Sequence, residues 1–338
     1  FAEGMNLYFE KYDGTATTIE AFYEGFEKAA GFDLSRFRRW YAQAGTPVVS
    51  LTRVSRPDSN KVHLKLTQET APTPGQSEKK TVPIPLRLTA FAEDGSQINP
   101  ETGEPVSADQ TDVVLLMDEQ TELELAPNAA SALISANRGF SAPVKIQDEL
   151  TDDDRLKLAT LETDAFAKWE AIQTVSRKAI LEMAAAIAAG NTPDLPVKLV
   201  AAMAEATRQT ATEDPAFAAQ LLTLPGVGEL FMEMLPADPA AIYEAKRLIR
   251  SALCAELMPE ITAELSKPID ETFSPDALSA GRRAIKAGYI DLLSADGTDH
   301  VEQIFAAFTS ANNMTDTMAA LRALSYAGGP RYDEAVKA

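Results

Sequence analysis

The sequence contains few of the residues on which most catalytic or metal sites are built. It has one cysteine, Cys254, and two histidines, His63 and His300, in 338 residues. A single cysteine cannot form an intrachain disulfide, which is typical of a reducing compartment. Lysine and arginine number 31 against 50 aspartates and glutamates, giving a formal net charge of −19. Because this charge repels nucleic-acid phosphates and anionic membrane surfaces, we predict binding to neither.

Long apolar runs are also missing. The longest, residues 179–189, is interrupted by Glu182 and is shorter than the roughly 20 residues that a membrane-spanning helix needs. The first residues lack the basic-then-apolar pattern of an export signal. We therefore expect a cytoplasmic protein with no membrane span. Apolar residues make up 45% of the chain, which is ordinary for a globular protein of about two or three domains.

The spacing of apolar residues divides the chain into three regions. Residues 1–46 have helical spacing in three short segments, with more aromatic side chains than three small helices can bury among themselves. From residue 47 to residue 147 the period is two, in about seven short stretches separated by turns, as in a β-sandwich. From residue 148 the spacing is helical again without a regular repeat. We predict a multidomain α and β fold: a short helical segment, an Ig-like β-sandwich and a solenoid-like helical array.

Proline and capping residues predict where several elements begin or break. Pro83 and Pro85 lie inside one predicted strand, which places it at a sheet edge or bulge because proline cannot donate a ladder hydrogen bond. Thr151 begins a capping-box pattern, and Pro259 should split the helix over about residues 239–267. Three further helix starts are marked by a capping residue followed by proline: Asp214–Pro215, Asp238–Pro239 and Ser274–Pro275.

The histidines and the cysteine match no catalytic or metal-binding spacing. His63 lies in a predicted strand and His300 at the start of a predicted helix, so a site using both would need distant elements to converge. We assign both to surface or capping roles. Cys254 lies among apolar helical positions with no basic partner evident nearby, which predicts a buried, unreactive thiol. We therefore expect the chain to bind no zinc.

Two other patterns resemble phosphate or acid–base sites. Pro225–Glu229 contains two glycines, but it follows no strand and lacks the Gly-Lys-Ser/Thr of a phosphate loop, so we interpret it as a tight turn. Carboxylate pairs occur at Glu260 and Glu264 and at Glu122 and Glu124. In so acidic a chain these pairs are expected to be solvated surface.

Two remaining patterns also favour structural explanations. The run Arg36–Tyr41 mixes basic and aromatic residues as a nucleic-acid site does, but helical spacing turns its rings toward a core and its arginines toward carboxylates. Asn313 begins a glycosylation sequon of a kind that occurs by chance. From the residues alone we assign no catalytic, cofactor-binding or metal-binding residue.

A family resemblance nevertheless covers essentially the whole chain. It is carried by ordered motifs: Met5–Gly14, Asp33–Pro47, Phe140–Lys145, Lys168–Gln173, Leu222–Val227 and Ala311–Asp316. These motifs resemble those of bacterial aminopeptidase N, a zinc metalloaminopeptidase of the gluzincin kind. The resemblance implies that residues 1–46 are the helical end of the catalytic domain, residues 47–147 the sandwich, and residues 148–338 a truncated helical C-terminal domain.

The resemblance also implies a function for the parent protein. Such an enzyme is a hydrolase that removes N-terminal residues from peptides, with zinc-bound water as the attacking group and a glutamate as general base. The family's zinc-binding, substrate-binding and catalytic motifs precede the first residue of this chain, so none can be assigned to a residue here. We expect this chain to be an inactive fragment. Its partners would be the parent's catalytic and N-terminal domains and the parent's peptide substrates. Its helical domain would close over the active site of the parent.

Two alternatives remain open. The chain could be a noncatalytic adaptor that joins a sandwich to a helical array for protein binding, or an enzyme with an unrecognised site. A long helical groove would favour the adaptor. Exposed aromatic side chains, where missing domains should dock, would favour the fragment. The inventory of catalytic residue types makes the separate enzyme the least favoured of the three hypotheses.

Overall fold

A computed structural model describes residues 1–56, 61–107, 112–268 and 273–338. The chain divides into two compact units, Phe1–Glu149 and Leu150–Ala338. The first unit holds short helices and two β-sheets, and the second is helical. The predicted fold class is therefore confirmed. Among the described residues, no helix has both the length and the apolar composition that crossing a bilayer requires.

The first unit begins with helices α1 (Ala2–Tyr12), α2 (Ile19–Ala30) and a single turn, α3 (Arg39–Ala42). Helices α1 and α2 approach closely because glycines lie where they meet: a Cβ on Gly25 would lie 2.8 Å from the Gly4 carbonyl oxygen. Helix α3 is shorter than the spacing predicts because residues 35–38 form turns.

Eight strands follow among the described residues of this unit. They are β1 (Val48–Ser55), β2 (Val62–Glu69), β3 (Ile84–Phe91), β4 (Gln97–Ile98), β5 (Asp112–Leu116), β6 (Gln120–Glu124), β7 (Leu133–Ala136) and β8 (Lys145–Gln147). One sheet has the order β6-β2-β1-β8, and in the other β3 pairs with β4, β5 and β7. Only the β1–β8 pair is parallel among the described pairings. All predicted strands are present. Strand β4 was not predicted, because its two residues are too few to show an alternating pattern of apolar side chains.

The sandwich core draws on both sheets. Alternate residues of β1, β2 and β3 supply much of it: Val49, Leu51, Leu64, Leu66, Ile84, Leu86 and Leu88. Pro85 lies opposite Leu115, in a part of β3 where β5 is the only described strand that pairs with it. Because one side of β3 is open there, the missing proline N–H costs no ladder bond. Farther along, β3 also pairs with β7 and β4, and Pro83 precedes the strand, so the predicted edge position is confirmed only for the part of β3 around Pro85.

The second unit is an array of helices. They are α4 (Asp152–Leu161), α5 (Ala165–Ala188), α6 (Val197–Thr210), α7 (Pro215–Leu221), α8 (Val227–Glu233), α9 (Pro239–Glu256), α10 (Met258–Leu265), α11 (Ala277–Leu293), α12 (Val301–Ser310), α13 (Met314–Ala327) and α14 (Pro330–Lys337), with a 3-10 turn at Ser294–Asp296. Their apolar faces share one core, which includes fully buried side chains of α6, α9, α11 and α13.

Most predicted helix boundaries are confirmed. Thr151 and Asp154 form a reciprocal capping box, with amide-to-side-chain distances of 3.0 and 3.1 Å. Asp214 and Asp238 cap α7 and α9, each followed by proline in the first turn. Near Pro259, the predicted long helix is divided into α9 and α10.

The helix start predicted at Ser274–Pro275 is wrong by two residues. Helix α11 begins at Ala277, because Asp276 is the residue that caps it. The Asp276 carboxylate accepts hydrogen bonds from the Ser279 amide at 3.0 Å and from the Ser274 hydroxyl at 2.5 Å. Ser274 therefore supports the cap from outside the helix instead of forming it.

The basic and aromatic residues around α3 attach this segment to the sandwich. The Trp40 indole nitrogen donates to the Pro83 carbonyl at 3.0 Å, and its ring packs against the sandwich core. Arg39 donates to the Thr81 carbonyl at 2.6 Å, and Arg36 donates to the Thr81 hydroxyl at 3.2 Å. These contacts support a structural role for the run Arg36–Tyr41 over nucleic-acid binding. The sandwich is therefore part of the partner surface that the many aromatic residues of positions 1–46 predict.

Trp40 provides a test of this attachment. Trp40→Phe keeps a ring but loses the hydrogen bond to Pro83, and should lower the free energy of unfolding by about 1 kcal/mol. Trp40→Ala also removes the packed ring and should cost about 3 kcal/mol or more. Guanidinium titrations followed by circular dichroism measure both. Phe32→Ala, at a side chain that is 60% exposed, is the control and should change stability by less than about 0.5 kcal/mol. Equal effects of Trp40→Ala and Phe32→Ala would contradict the attachment.

Candidate functional site

A polar cleft of about 800 Å³ opens between α10, α11, α12 and α13. Among the described residues, its charged lining consists of four cations and two carboxylates: Lys267, Arg282, Arg283, Lys286, Glu264 and Asp316. The described part of the lining is therefore cationic in a chain whose net charge is −19. Because a local excess of one sign concentrates ligands of the opposite sign, the cleft suits an anionic group such as a carboxylate.

The cations of this cleft differ in whether they form ion pairs with described residues. Lys286 lies 2.8 Å from the Asp316 carboxylate, and Lys267 lies 2.5 Å from that of Glu264. Arg282 is exposed and makes no ion pair with a described residue. Arg282 is therefore the cation most available to a ligand in the cleft.

Helix α13 places Asp316 at the floor of the cleft. The Asn313 side chain caps this helix by accepting a hydrogen bond from the Asp316 amide at 3.0 Å. Asp316 is buried, and its carboxylate joins α13 to Lys286 on α11. Asn313, which begins the sequon in the sequence, thus has a structural role as a helix cap.

A second group of polar side chains lies in the same unit. Ligand atoms of Cys254, Asp296 and His300 all lie within 4.8 Å of one another. Cys254 is on α9, Asp296 ends the 3-10 turn, and His300 immediately precedes α12. Sequence analysis missed this group because its members come from separate elements and include only one histidine. The i, i+4 spacing of Asp296 and His300 was the one local signal.

Gly297 makes this arrangement sterically accessible. Its φ of 63° and ψ of −121° form a combination that a residue with a Cβ adopts only at a cost. The turn brings His300 Nε2 to 3.8 Å from Asp296 Oδ2. His300 Nδ1 lies 3.1 Å from the Gln303 side-chain oxygen, which can only accept. In the tautomer that carries its proton on Nδ1, the ring donates to this oxygen and Nε2 presents its lone pair.

Cys254 is buried and free, as predicted. Burial and, secondarily, the Asp296 carboxylate raise the pKa of its thiol to about 12, while Arg250 opposes the shift. The thiol is therefore protonated and unreactive near neutral pH in the absence of a bound ligand. The expectation that no basic partner lies nearby is wrong, since Arg250 lies one turn earlier on α9 and acts on the thiol.

The strand candidates occupy paired surface positions. His63 lies on β2 opposite Glu124 of β6. Glu124 lies 2.7 Å from Lys61 and Glu122 lies 2.5 Å from Arg56. The two carboxylates are thus engaged in ion pairs, in line with their interpretation as surface charges.

The helical carboxylates Glu260 and Glu264 are less solvated than predicted, since their side chains are only 30% and 16% exposed. Glu260 pairs with Arg208 at 2.6 Å, and Glu264 pairs with Lys267. Pro225–Glu229 leads from α7 into α8, and a Cβ on either of its glycines would meet nothing within 4 Å. No described part of the chain therefore approaches these glycines closely enough to require the absence of a side chain.

Helices α1 and α2 and the residues after them expose several large aromatic side chains: Phe1, Phe9, Phe32, Phe37 and Tyr41. Neighbouring rings form an aromatic network, in which Tyr8 contacts both Phe9 and Phe22 at centroid distances of 5.5 and 5.3 Å. Exposed apolar groups in such number mark an interaction surface. This is the feature that favours the fragment hypothesis.

Two family models match the chain. The one described as "Domain of unknown function (DUF3458_C) ARM repeats" matches residues 152–338, and "Domain of unknown function (DUF3458) Ig-like fold" matches residues 45–149. Aminopeptidase N of Escherichia coli is 32% identical over 96% of this chain and 37% of its own length. Aminopeptidase N of Caulobacter vibrioides is 36% identical over 100% of this chain and 38% of its own length. The chain thus spans well under half of these relatives.

Solved structures agree on the fold. The crystal structure of Legionella pneumophila aminopeptidase A in complex with aspartic acid matches 99% of this chain and 38% of its own length, with a TM-score of 0.78 and 24% identity. At this identity the match establishes the fold alone. It is consistent with an Ig-like domain followed by a helical array.

Substitutions at the cleft should distinguish Lys286, whose ion pair stabilises the fold, from Arg282, which contributes little to stability. Lys286→Ala leaves the buried Asp316 carboxylate without its partner and should lower the free energy of unfolding by about 3 kcal/mol. Arg282→Ala, on the same helix, removes an exposed cation that forms no ion pair with a described residue, and should cost less than about 0.5 kcal/mol. Urea titrations of the two variants test this difference, and similar losses at both positions would contradict the assignment.

Proposed function

This chain belongs to the DUF3458_C family of helical ARM-repeat domains, and from that membership we propose that it is part of a zinc-dependent aminopeptidase. The observation that supports the proposal most strongly is the homology to bacterial aminopeptidase N along 96% of the chain. The Ig-like match at residues 45–149 and the ARM-repeat match at residues 152–338 agree with the domain order that the resemblance implies. In this proposal residues 1–46 end the catalytic domain, residues 47–147 form the sandwich and residues 148–338 belong to the helical domain.

The parent would remove N-terminal amino acids from peptides. Zinc, when bound in the parent, would polarise the peptide carbonyl and activate a water molecule. The described residues do not fit that catalytic ion, because His63 and His300 lie in different units and neither belongs to a two-histidine helical motif. We therefore propose that this chain alone is inactive and derive no catalytic step for it.

The helical unit would close over the active site of the parent. Its cleft supports this role because Arg282, which forms no ion pair with a described residue, offers a cation to anionic groups of a peptide. The paired Lys286 and Asp316 hold α11 and α13 together beside it. Peptide substrates would thus meet a polar, cationic surface on this chain.

The partners of the first unit would be the catalytic and N-terminal domains of the parent. The exposed aromatic side chains, such as Phe9 and Phe32, supply the apolar area for that contact. Burial of one large apolar side chain contributes about 1.5–3 kcal/mol, so a few suffice for stable docking. The single cysteine supports a cytoplasmic location.

Assays of the purified chain test the proposed inactivity. We expect no hydrolysis of alanyl or leucyl chromogenic amides, with or without added zinc, above a mock preparation from cells that lack the gene. The Escherichia coli aminopeptidase N assayed in parallel is the positive control. Activity that persists through a second purification and scales with chain concentration would show that the chain carries its own active site.

The coding sequence upstream of residue 1 tests membership in a larger enzyme. An in-frame His-Glu-x-x-His motif there supports the proposal, because this spacing places two zinc ligands on one helical face. A long upstream reading frame with no such motif would favour the noncatalytic adaptor.

A further inference from the structure

Three side chains of different metal-ligating types meet in the helical unit. The Cys254 sulfur, an Asp296 carboxylate oxygen and a His300 ring nitrogen lie within 4.8 Å of one another. Cys254 is fully buried, whereas the side chains of Asp296 and His300 are 25% and 24% exposed. The group is therefore closed on the sulfur side and open to solvent on the other, which gives an ion a path of entry.

The chemistry of the group favours one class of ion. Thiolate and imidazole ligands suit zinc and similar borderline ions, while calcium and magnesium require oxygen ligands. Three protein ligands leave a fourth tetrahedral position for water on the exposed side. A site of this composition therefore favours zinc and similar borderline ions over calcium and magnesium.

The distances are close to those that such an ion requires. Zinc bonds of about 2.0–2.2 Å to nitrogen and oxygen place those two atoms about 3.4 Å apart in a tetrahedron. His300 Nε2 and Asp296 Oδ2 are 3.8 Å apart. A zinc–sulfur bond of about 2.3 Å places the sulfur about 3.6 Å from each of the other ligands, and the present separations are below 4.8 Å. Small side-chain rotations close the difference.

A partner outside the group fixes the ligand atom of the histidine. The side-chain oxygen of Gln303, in the first turn of α12, lies 3.1 Å from His300 Nδ1. Ligating histidines ordinarily donate their other ring N–H to such an acceptor, which sets the tautomer and the ring orientation. With the proton on Nδ1, Nε2 would face Asp296 with its lone pair free to bind an ion.

The charges around the group permit a divalent cation. Arg247 and Arg250 lie nearby on α9, but Arg247 pairs with Glu244 at 2.7 Å and Arg250 with Asp291 at 2.8 Å. Their positive charges are thus compensated by carboxylates. On binding, the ion would displace the thiol proton to solvent, and the thiolate together with Asp296 would neutralise the two charges of the ion.

We propose that Cys254, Asp296 and His300 bind one divalent ion of the zinc type, with water as the fourth ligand. The ion would fasten α9 to the turn before α12 and stabilise the helical unit. This assignment replaces the expectation from sequence that the chain binds no zinc, which considered the histidines and the cysteine separately.

Cobalt titration of the chelator-treated full chain tests the proposal. One equivalent of Co²⁺ should produce a thiolate-to-cobalt charge-transfer band and tetrahedral visible absorption, and Zn²⁺ should abolish both by displacement. Zinc in excess of its dissociation constant should also raise the melting temperature, because it binds the folded state. Cys254→Ser should remove the charge-transfer band, and His300→Gln should weaken binding at least about tenfold.

His63→Gln is the matched control, since it removes the other histidine and should leave cobalt binding unchanged. Circular dichroism establishes that each variant is folded, and the partly exposed His300 position keeps the test decisive if Cys254→Ser disturbs the core. A folded wild-type chain that gives no charge-transfer band and retains no stoichiometric zinc would overturn the site. So would unchanged binding by folded His300→Gln.

Discussion

Each unit closes its own apolar core, and the remaining features of the structure depend on that closure. The sandwich core consists of residues between Val49 and Ile146, with Trp40 packed on it, and the helical core of residues between Leu156 and Ala335. Small residues allow the helices to approach: a Cβ on Gly281 of α11 would lie 3.0 Å from the Ala216 backbone nitrogen of α7. The helices that enclose the core also carry the cationic cleft and the Cys254 group, so packing positions both.

Residues of the motifs that carry the family resemblance make contacts that hold the helices and strands in place. Gln173 of one motif is buried and donates to the Thr223 carbonyl of another at 2.7 Å. Asn313 caps α13, and Trp40 anchors α3 to the sandwich. The motifs that carry the resemblance therefore make structural contacts in this chain, in a region to which we assign no catalytic residue.

Local patterns predicted local structure well, and contacts between distant residues poorly. Periodicity located the long strands and helices, and the Thr151 and Asp238 caps lay where side chains could reach the next free amides. The start of α11 was misplaced because two neighbouring residues, Ser274 and Asp276, could both cap, and only the fold decides between them. The Cys254 group could not be predicted, because α9 and the turn before α12 meet only through tertiary packing.

The central claim is that both units fold with the apolar cores that are present in this chain. Differential scanning calorimetry of the full chain, with a hydrophobic dye followed in parallel, tests it most directly. The account predicts cooperative unfolding, in one or two transitions, with little dye binding before the first. A broad, noncooperative melt with strong dye binding at all temperatures would show that the cores are incomplete and would contradict the account.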